Sequence, residues 1–417
     1  LVEFILRHGD IDNRTGGADK EAMQQGGRIH RKIQRQQGAE YRAEVPLKYQ
    51  IACDGFILSA EGRADGIIEL PKCVVIDEIK GVFKDLKRLK EPQLLHLAQA
   101  KCYAYIYAEQ KNLEEIGVQM TYCNLDTEEI RRFQEVYTRA ELKKWFEELV
   151  SEYEKWARYQ MEWRAKRNAS IKTVEFPFEY RDGQKKLVAS VYRTILRKKK
   201  LFIQAPTGVG KTMAAVFPAV KAVGEELGEK IFYLTAKTIT RTVAEEALAI
   251  LRERGLYFRS VTITAKEKLC ILEKPVCNPE MCPRAKGHFD RVNDAVYEIL
   301  HQEFGITRSV ILENAEKFQV CPFEFCLDIS SFVDGIICDY NYVFDPNVSL
   351  KRFFADGVKE DYLFLIDEAH NLVDRARAMY SATLQKSQVL SCKKLAAPLS
   401  KPFEKAISSL NREMLAL

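Results

Sequence analysis

Lys211 and Thr212 end the segment of this chain whose residues carry the most specific chemistry. An apolar run, 201–204, leads into a loop of small residues, and the Lys-Thr pair follows where a helix should begin. Small residues let backbone N–H groups approach a polyphosphate, and a helix N-terminus adds its positive end. Lys211 would then reach the β- and γ-phosphates of a nucleotide, and Thr212 would hold Mg²⁺. Ala205 stands where the strict pattern of this P-loop has Gly. The predicted nucleotide-binding residues are Ala205, Pro206, Thr207, Gly208, Val209, Gly210, Lys211 and Thr212.

Asp367 and Glu368 form the second part of the same predicted site. They follow an apolar run, 362–366, which predicts a strand buried on both faces. The carboxyl ends of parallel strands meet at one edge of a sheet, so the pair should lie near the P-loop. Asp367 would bind Mg²⁺ directly or through water, and Glu368 would orient the attacking water, because phosphoryl transfer depends on positioning and charge neutralisation. The two elements together predict ATP hydrolysis, with Lys211, Asp367 and Glu368 as catalytic residues.

Asp65, Glu78 and Lys80 form a second set with chemical potential. Asp65 falls in one predicted strand, and Glu78 and Lys80 are two apart in the next, so the pleat puts both on one face. Carboxylates in this arrangement can hold a divalent cation against a phosphodiester. The cation lowers the pKa of a bound water, and the Lys steadies a negative oxygen. Taken alone, Glu78 and Lys80 are better explained as a surface ion pair. Together the three residues predict phosphodiester cleavage that depends on Mg²⁺ or Mn²⁺.

Four of the eleven cysteines predict a metal or cluster site. No export signal is present, so a disulfide framework is not expected. Cys270, Cys277 and Cys282 lie close together, and Cys321 returns after a predicted helix over 292–302. Four thiolates of this kind suit a [4Fe–4S] cluster or a structural Zn²⁺, and the spacing matches neither the ferredoxin run nor most zinc ribbons. The residues alone leave both open.

The short motifs of the first 168 residues resemble the RecB-like branch of the PD-(D/E)xK nucleases. G-x-x-x-H is present as 26–30, the Asp lies in GRAD at 62–65, E-x-K lies in DEIK at 77–80, and Q-x-x-x-Y spans 99–103. The resemblance implies a nuclease fold and a DNA substrate. It implies binding of Mg²⁺ or Mn²⁺ by His30, Asp65 and Glu78, catalysis by Lys80, and a DNA groove lined by Gln99 and Tyr103.

The remainder resembles the XPD/DinG-type iron–sulfur helicases of superfamily 2. The resemblance rests on the P-loop, four cysteines ahead of the DEAH box at 367–370, and CPFEFC at 321–326 followed by DYNYVFDP. It implies ATP, Mg²⁺, a [4Fe–4S] cluster and 5′→3′ movement on single-stranded DNA. Cys326 is an alternative fourth ligand, but Cys321 precedes Pro322 as in that family and is preferred.

Further motor residues follow from the same resemblance. Arg181 and Gln184 resemble the R-x-x-Q element that reads adenine ahead of the P-loop. Hydroxyl and basic side chains after the next strand suit the phosphates of a single strand, and the resembling family uses this segment in that way. The predicted DNA contacts of the motor are Thr235, Lys237, Thr238 and Arg241.

These motifs require an α/β fold with alternating strands and helices. The predicted strands are 49–58, 61–69, 72–80, 118–124, 201–204, a run starting at 231, and 362–366. The predicted helices are 26–33, 94–107, 141–163 and 292–302, with 164–172 as a polar linker and Cys53, Cys73, Cys102 and Cys123 as buried core thiols. The predicted domains are a RecB-like nuclease domain at 1–168, a RecA-like motor domain at 169–259 and 327–375, an iron–sulfur lobe at 260–326, and the start of an arch-like helical insertion at 376–417.

Composition sets broad limits. A chain of 417 residues, 47% of them hydrophobic, is long enough for two or three domains with real cores. A net charge of +5 is too mild to establish nucleic-acid binding. No apolar run approaches the roughly 18 to 20 residues that span a bilayer, and the N-terminus lacks a signal pattern. We therefore expect a cytoplasmic protein without a membrane partner.

The expected function is DNA processing or repair by a helicase–nuclease. Such a helicase needs a second RecA-like domain, for which the residues after the DEAH box leave no room, so we expect a fragment of a longer protein that hydrolyses ATP poorly on its own. The expected partner is DNA, single-stranded or with a junction between single strand and duplex. One alternative is a helicase whose nuclease-like domain is a non-catalytic DNA-binding platform. Another is a zinc-stabilised, nucleotide-dependent switch that acts on protein.

Overall fold

The computed structural model describes residues 1–15, 20–71, 73–83, 85–206, 208–236, 238–355 and 360–416. The chain divides into two compact units. Unit 1 comprises Leu1–Glu179 and Leu248–Gly335, and unit 2 comprises Tyr180–Ala247 and Ile336–Leu417. The predicted nuclease domain and residues 260–335, which we call the cysteine-rich segment, therefore belong to one unit. Among the described residues, no helix has both the length and the apolar character to cross a bilayer.

Unit 1 contains the nuclease-like sheet and the cysteine-rich segment. Its helices are α1 Val2–Leu6, α2 Lys20–Arg35, α3 Leu94–Lys111, α4 Arg139–Thr173, α8 Lys266–Leu269, α9 Val292–Gln302, α10 Arg308–Phe318 and α11 Pro322–Ser330. Its strands are β1 Tyr41–Cys53, β2 Phe56–Leu70, β3 Cys73–Val82, β4 Glu115–Asn124, β5 Ile130–Thr138, β7 Ser260–Thr262 and β8 Gly305–Ile306. Short 3₁₀ turns cover Asn13–Thr15 and Leu86–Arg88.

A mixed five-stranded sheet in the order β1-β2-β3-β4-β5 carries the predicted nuclease residues. β1, β2 and β3 are antiparallel neighbours, whereas β3 and β4 are parallel. A parallel pair needs a crossover connection, and α3 provides it. The sheet and α3 enclose a core that includes Ile67, Ile76, Tyr105 and Phe146. This topology places β2, β3 and α3 side by side.

The predicted strand 49–58 is wrong in its interior. The chain turns at Asp54–Gly55, where Gly55 has φ +87°, so these residues form a hairpin between two long strands. A left-handed position at a tight turn suits Gly, which has no Cβ to clash. The sequence analysis also missed β5, which pairs antiparallel with β4.

The predicted linker at 164–172 is wrong. These residues continue α4, which starts at a capping box between Thr138 and Glu141 and runs to Thr173. The C-terminal half of α4 packs on the cysteine-rich segment, since the ring of Trp156 lies 5.1 Å from that of Tyr297 and 5.0 Å from that of Phe332. The predicted role of the helix aromatics as core residues is thereby confirmed.

A buried polar cluster around Asp334 explains why the basic end of α4 stays helical. Arg167 Nη1 lies 2.8 Å from Asp334 Oδ1, and both side chains are less than a tenth exposed. Asp334 Oδ2 accepts from Trp163 Nε1 at 3.0 Å and from the Arg259 N–H at 2.8 Å. The Arg259 guanidinium lies 3.4 Å from the centre of the Trp163 ring. The Asp334 carboxylate thus neutralises the buried charge of Arg167. The basic composition of this stretch alone predicts a solvated linker.

The first fourteen residues lie against the cysteine-rich segment. The Ile11 N–H donates to the Ala285 carbonyl at 2.9 Å, and the Asn13 N–H donates to the Cys277 carbonyl at 2.8 Å. Arg7 pairs with Asp328 at 2.8 Å. Backbone and side-chain contacts thus attach this N-terminal segment along its length.

Unit 2 contains the predicted nucleotide site. Its helices are α5 Gln184–Leu196, α6 Lys211–Gly224, most of α7 Thr238–Glu253, α12 Asn341–Phe344, α13 Lys351–Phe354, α14 Leu372–Met379, α15 Lys386–Ala396 and α16 Lys401–Ala416. Its strands are β6 Lys230–Thr235, nearly all of β9 Gly335–Asp339, and β10 Tyr362–Ile366, with a 3₁₀ turn at Ala369–Asn371. The strands lie in the order β10-β6-β9, and β10 is parallel to β6.

The predicted strand ahead of the P-loop is not formed. Residues 201–206 are irregular, and Phe202 is 89% exposed. A strand forms only with a hydrogen-bonded neighbour, and none of the described strands pairs with this segment. The cysteines of the first domain also differ from the prediction. Cys102 and Cys123 are buried, but Cys53 is half-buried and Cys73, the first residue of β3, is exposed.

We predict that Asp334→Ala destabilises unit 1 by about 3–5 kcal/mol, because it leaves the buried Arg167 charge without its counter-ion. All three Trp residues of the chain lie in α4, so urea unfolding followed by Trp fluorescence reports on this unit. The matched control is Glu152→Ala, which breaks an exposed pair with Lys155 on the same helix and should change stability by less than about 1 kcal/mol. Equal effects of the two variants would contradict the role given to Asp334.

Candidate functional site

Adjacent strands bring Asp65, Glu78 and Lys80 together. β2 and β3 pair with Gly66 opposite Asp77, and the Ile79 N–H donates to Asp65 Oδ2 at 2.8 Å. Glu78 and Lys80 share one face of β3, as the period of two requires, and Lys80 Nζ lies 2.8 Å from Glu78 Oε1. An Asp, a Glu and a Lys thus meet on two neighbouring strands.

Gln99 and Tyr103 join the same group from α3. They are four apart on one helix face, and Gln99 Nε2 donates to the Tyr103 hydroxyl at 3.1 Å. Gln99 Oε1 accepts from Lys80 Nζ at 3.0 Å, so the ammonium lies between this amide and Glu78. The Tyr103 ring packs against Gly62, where a Cβ would come within 2.6 Å of the ring. The glycine ahead of Asp65 in GRAD therefore makes room for the tyrosine.

His30 reaches this group from α2. Ile29 and Ile33 of that helix pack with Ile79 and Cys123, which attaches the helix to the sheet beside Asp65. His30 Nδ1 lies 3.4 Å from Asp65 Oδ1. Burial works against the charged imidazole, but the hydrogen bond and charge of Asp65 outweigh it, so the pKa of His30 is raised.

Glu78 is the most perturbed group of the site. Burial, together with the nearby charge of Asp65, raises the pKa of Glu78 to about 7, although Lys80 opposes the shift. Its Oε2 is buried without a hydrogen-bond partner among the described residues. An orphaned carboxylate oxygen of this kind is what a divalent cation would satisfy. In the described part of the chain, however, no three or more His, Cys, Asp or Glu side chains are close enough to hold a metal ion.

The neighbouring Asp77 has a structural role. It is buried, and its carboxylate accepts from Thr121 Oγ1 at 2.5 Å, Gln119 Nε2 at 3.0 Å and the Tyr41 hydroxyl at 3.1 Å. Three donors satisfy this carboxylate, whereas Glu78 keeps an unsatisfied oxygen. Of the two acidic residues in DEIK, Glu78 is therefore the candidate for binding a cation.

A groove of about 1010 Å³ borders His30 and Asp65, and the sequence analysis missed most of its lining. The missed residues include two arginines of α2 and residues of the β1–β2 hairpin. The helical spacing around His30 would have identified the α2 members, because positions three to four apart share a face. The lining residues are Gly27, Arg28, His30, Arg31, Gln34, Glu44, Arg63 and Asp65.

The R-x-x-Q residues contact the P-loop in unit 2. Arg181 donates to the Gly208 carbonyl, and Gln184 Nε2 donates to the Val209 carbonyl at 3.0 Å. Gly208 and Gly210 have φ of +86° and +74°, which other residues adopt only with strain. The predicted Thr207 lies outside the described residues, and Ala205 and Pro206 lie in the irregular segment that precedes the turn.

Lys211 and the DEAH residues lie close together. Lys211 Nζ lies 3.7 Å from Glu368 Oε1, and the Asp367 N–H donates to the Leu234 carbonyl at 2.9 Å, which fixes the turn at the end of β10. Burial is the main cause of the raised pKa of Asp367, with the Glu368 charge adding to it. The Tyr233 hydroxyl accepts from Thr212 and donates to Asp367. The hydroxyl, carboxylate and ammonium groups of the prediction therefore lie together.

The structure describes the side chains of two of the four predicted DNA contacts of the motor. Thr235 is fully buried at the end of β6, and the Arg241 side chain is only 11% exposed and lies 3.9 Å from Asp339. Thr235 is thus buried because it lies in the strand, and the Arg241 side chain is largely buried beside its acidic partner Asp339. Lys237 and the side chain of Thr238 lie outside the described residues.

The four candidate ligand thiols of the cysteine-rich segment are buried or half-buried. Cys277 and Cys282 are buried, and Cys270 and Cys321 are half-buried. Burial raises the pKa of Cys321 to about 11. Lys266 faces this group: burial lowers its pKa, but its hydrogen bond to Cys277 and the nearby charges raise it more, so the net shift is upward.

Two further contacts distinguish the candidate fourth ligands. The Cys321 N–H donates to His288 Nδ1 at 3.2 Å, and His288 Nε2 is buried without a hydrogen-bond partner among the described residues. Cys326 is fully buried, and its thiol faces the Thr262 carbonyl at 3.8 Å. His288 thus contacts the backbone of Cys321, whereas the Cys326 thiol is directed at a backbone carbonyl.

Three known families match this chain. Residues 11–170 match the PD-(D/E)XK nuclease superfamily, residues 183–278 match the DEAD/DEAH box helicase family, and residues 235–389 match the DEAD_2 family. These matches confirm the predicted resemblance to helicases and to the nuclease superfamily. They cover both groups of residues described above.

Individual relatives extend the helicase likeness. A regulator of telomere elongation helicase 1 homolog of Caenorhabditis elegans is 23% identical over 287 residues, which cover 58% of this chain and 29% of that protein. A probable ATP-dependent helicase of Methanocaldococcus jannaschii is 33% identical over 205 residues, 49% of this chain and 30% of that protein. A solved structure titled "Truncated XPD" is 18% identical, with a TM-score of 0.39 over 56% of this chain and 65% of that one. The chain spans less than a third of the length of these two curated relatives.

We predict that Glu78→Gln stabilises unit 1 at pH 8 in EDTA and has little effect at pH 5. A carboxyl whose folded-state pKa is raised from 4.5 to about 7 takes up a proton on folding between these values. Its contribution to stability is therefore lost as pH rises through that window, and the amide does not titrate. Urea unfolding followed by Trp fluorescence at pH 5, 6, 7 and 8 measures the difference.

The control for this measurement is Glu129→Gln, which neutralises an exposed carboxylate of the same domain. Its effect should not grow across the window in the way expected for Glu78→Gln. A difference between wild type and Glu78→Gln that is independent of pH would contradict the raised pKa.

Proposed function

We propose that this chain carries a nuclease domain and a motor domain of an ATP-dependent DNA helicase–nuclease. The observation that carries the proposal is the meeting of Asp65, Glu78 and Lys80 on two adjacent strands, with Gln99 and Tyr103 from one helix completing the group. Four short motifs far apart in sequence meet at one place, which a set of incidental surface residues would not do.

Cleavage uses the charges of this group. Asp65 and Glu78, with His30 beside them, would hold Mg²⁺ or Mn²⁺, which activates a water and polarises the phosphate. Lys80, held between Glu78 and Gln99, brings its ammonium to the negative oxygen that develops during attack. Tyr103 adds an aromatic face beside the group, suited to a base or sugar of the strand.

ATP hydrolysis is proposed for the second group. Gln184 and Arg181 contact the P-loop backbone, and Lys211 lies beside Glu368. In the proposed reaction Lys211 neutralises the γ-phosphate, Thr212 and Asp367 hold Mg²⁺, and Glu368 orients the water. Hydrolysis at this site would drive movement along single-stranded DNA, with 5′→3′ polarity.

A [4Fe–4S] cluster is proposed on Cys270, Cys277, Cys282 and Cys321. The sequence spacing of the four cysteines and the resemblance support this assignment, since four thiolates suit a cluster. Two of the thiols are buried and two are half-buried, and in the described part of the chain they do not form a group close enough to hold a metal ion. A structural Zn²⁺ is the competing occupant of the same donor set. The distinction can be made by colour, because a cluster absorbs broadly near 400 nm and Zn²⁺ does not.

A second candidate function keeps DNA binding and removes cleavage. The ion pair between Glu78 and Lys80 gives the carboxylate a counter-charge without a cation, and this contact favours a nuclease fold that serves as a binding platform. The two functions differ in one measurement, the cutting of labelled single-stranded DNA in Mn²⁺.

We predict that Lys80→Ala lowers Mn²⁺-dependent cleavage of 5′-labelled single-stranded DNA at least 100-fold while DNA affinity stays within about threefold, since the ammonium acts on the developing charge. Lys48→Ala is the control, because it removes an exposed lysine of the same sheet that pairs only with the surface residue Glu61. Absence of cutting by the wild-type protein, with DNA binding intact, would favour the platform instead.

We predict that Cys321→Ser abolishes the absorbance near 400 nm of protein purified without oxygen, whereas Cys326→Ser retains it. The reason is that Cys321 lies beside the unsatisfied His288, and Cys326 is held in the core against Thr262. Iron and zinc contents of both variants accompany the spectra. A colourless wild-type sample rich in zinc, or loss of colour in Cys326→Ser alone, would refute this assignment.

A further inference from the structure

Glu44 and Arg63 face each other across the β1–β2 hairpin, on the rim of the groove beside Asp65. Arg63 Nε lies 2.7 Å from Glu44 Oε2. Glu44 Oε1 also accepts from Gln34 Nε2 at 2.8 Å. The Arg63 side chain is 68% exposed and that of Glu44 41%, so a ligand in the groove has access to both.

The backbone at Glu44 is unusual for a strand. Its φ is +55°, a conformation that a residue with a Cβ adopts only at a cost. The strand pairing continues on both sides, with Ala43 opposite Gly66 and Val45 opposite Ala64, and it skips the pair of Glu44 with Asp65. Strain of this kind in a protein clusters at functional sites.

Gln34 hydrogen-bonds to both residues of the skipped pair, Glu44 and Asp65. Its Nε2 donates to the Asp65 carbonyl at 2.9 Å as well as to Glu44. The amide therefore connects the helix that carries His30 with the strand that carries Asp65. The strained residue and the predicted metal-binding strand share this one donor.

We propose that Arg63 is the residue that binds the nucleic-acid phosphate next to the scissile one, and that Glu44 holds its guanidinium until that phosphate displaces the carboxylate. The inference rests on the proposed nuclease function of this site. Arg63 and Asp65 are two apart on β2 and so point to the same face of the strand. A guanidinium binds a phosphate with the same forked geometry that it uses for a carboxylate, so one ligand can replace the other.

The other arginines of the groove are less suited to this exchange. Arg28 lies 3.4 Å from Glu128, which is not part of the groove lining, and this pair is loose and exposed. Arg31 makes no ion pair with the described residues, so it adds general positive charge without a competing partner. Only Arg63 is held by a carboxylate inside the groove itself. Glu44 therefore repels the phosphate that Arg63 attracts, which makes affinity sensitive to this one pair.

The test compares Arg63→Gln, Glu44→Gln and the double variant in the full chain. Binding of 5′-fluorescein-labelled single-stranded DNA is measured by anisotropy in EDTA over a range of salt concentrations. Arg63→Gln should weaken binding about five- to tenfold and lower the slope of log affinity against log salt by about one, because one phosphate contact is lost. Glu44→Gln should tighten binding about threefold, and the double variant should match Arg63→Gln, since Glu44 acts through Arg63.

A local measurement separates this groove from DNA bound by the motor. Hydrogen exchange of peptides covering β1 and β2 should slow on addition of DNA in the wild type and in Glu44→Gln, but not in Arg63→Gln. Arg42→Gln is the matched control, because it breaks an exposed pair with Glu69 on the same two strands, away from the groove. Wild-type affinity and protection in Arg63→Gln, or the same loss in Arg42→Gln, would overturn the inference. If the wild type fails to cut DNA in Mn²⁺ while these binding effects hold, the nuclease proposal alone fails.

Discussion

A buried carboxylate beside a lysine is the interaction on which the nuclease-like sheet of this protein depends. Glu78 lies on the strand between β2 and β4, where water is excluded, and its negative charge is costly there without compensation. Lys80 supplies part of that compensation, and the remaining oxygen of Glu78 has no described donor. The sheet thus stores an unsatisfied charge at the place where a phosphodiester would be cut. The crossover helix α3, the helix α2 that carries His30, and the neighbouring strand β2 all place side chains near Glu78.

Local spacing predicted the parts of the fold that local interactions determine. The helix predicted at 292–302 is observed with those bounds, and Glu78 and Lys80 share a strand face as their spacing requires. The predicted linker failed because its stability comes from Asp334, a residue 167 positions beyond Arg167 in the chain. The strand at 201–204 failed for a similar reason, since a strand exists only if a neighbour supplies its hydrogen bonds. Spacing describes one element at a time, and these two outcomes depend on partners elsewhere.

The same distinction applies to the sites. Motifs identified Gln99 and Tyr103 because their types and separation are characteristic; Gln99 contacts Lys80, and Tyr103 contacts Gln99. Glu44 was not identified, because nothing in its local sequence marks a left-handed residue inside a strand. Thr235 was predicted to contact the phosphates of a single strand, yet it closes a buried strand. Residue type indicates what a side chain can do, and burial decides whether a substrate meets it.

The attachment of the first fourteen residues to the cysteine-rich segment has a consequence for synthesis on the ribosome. Contacts such as Arg7 with Asp328 join positions 321 residues apart, so these partners cannot meet until most of unit 1 and the intervening part of unit 2 have been translated. Pairings of such long range are slow to form and leave apolar surface uncovered in the meantime. The aromatic face of Phe4 and Trp156 is one such surface, because it is completed by Phe332. We therefore expect a nascent chain of this protein to depend on a chaperone until its cysteine-rich segment has been synthesised.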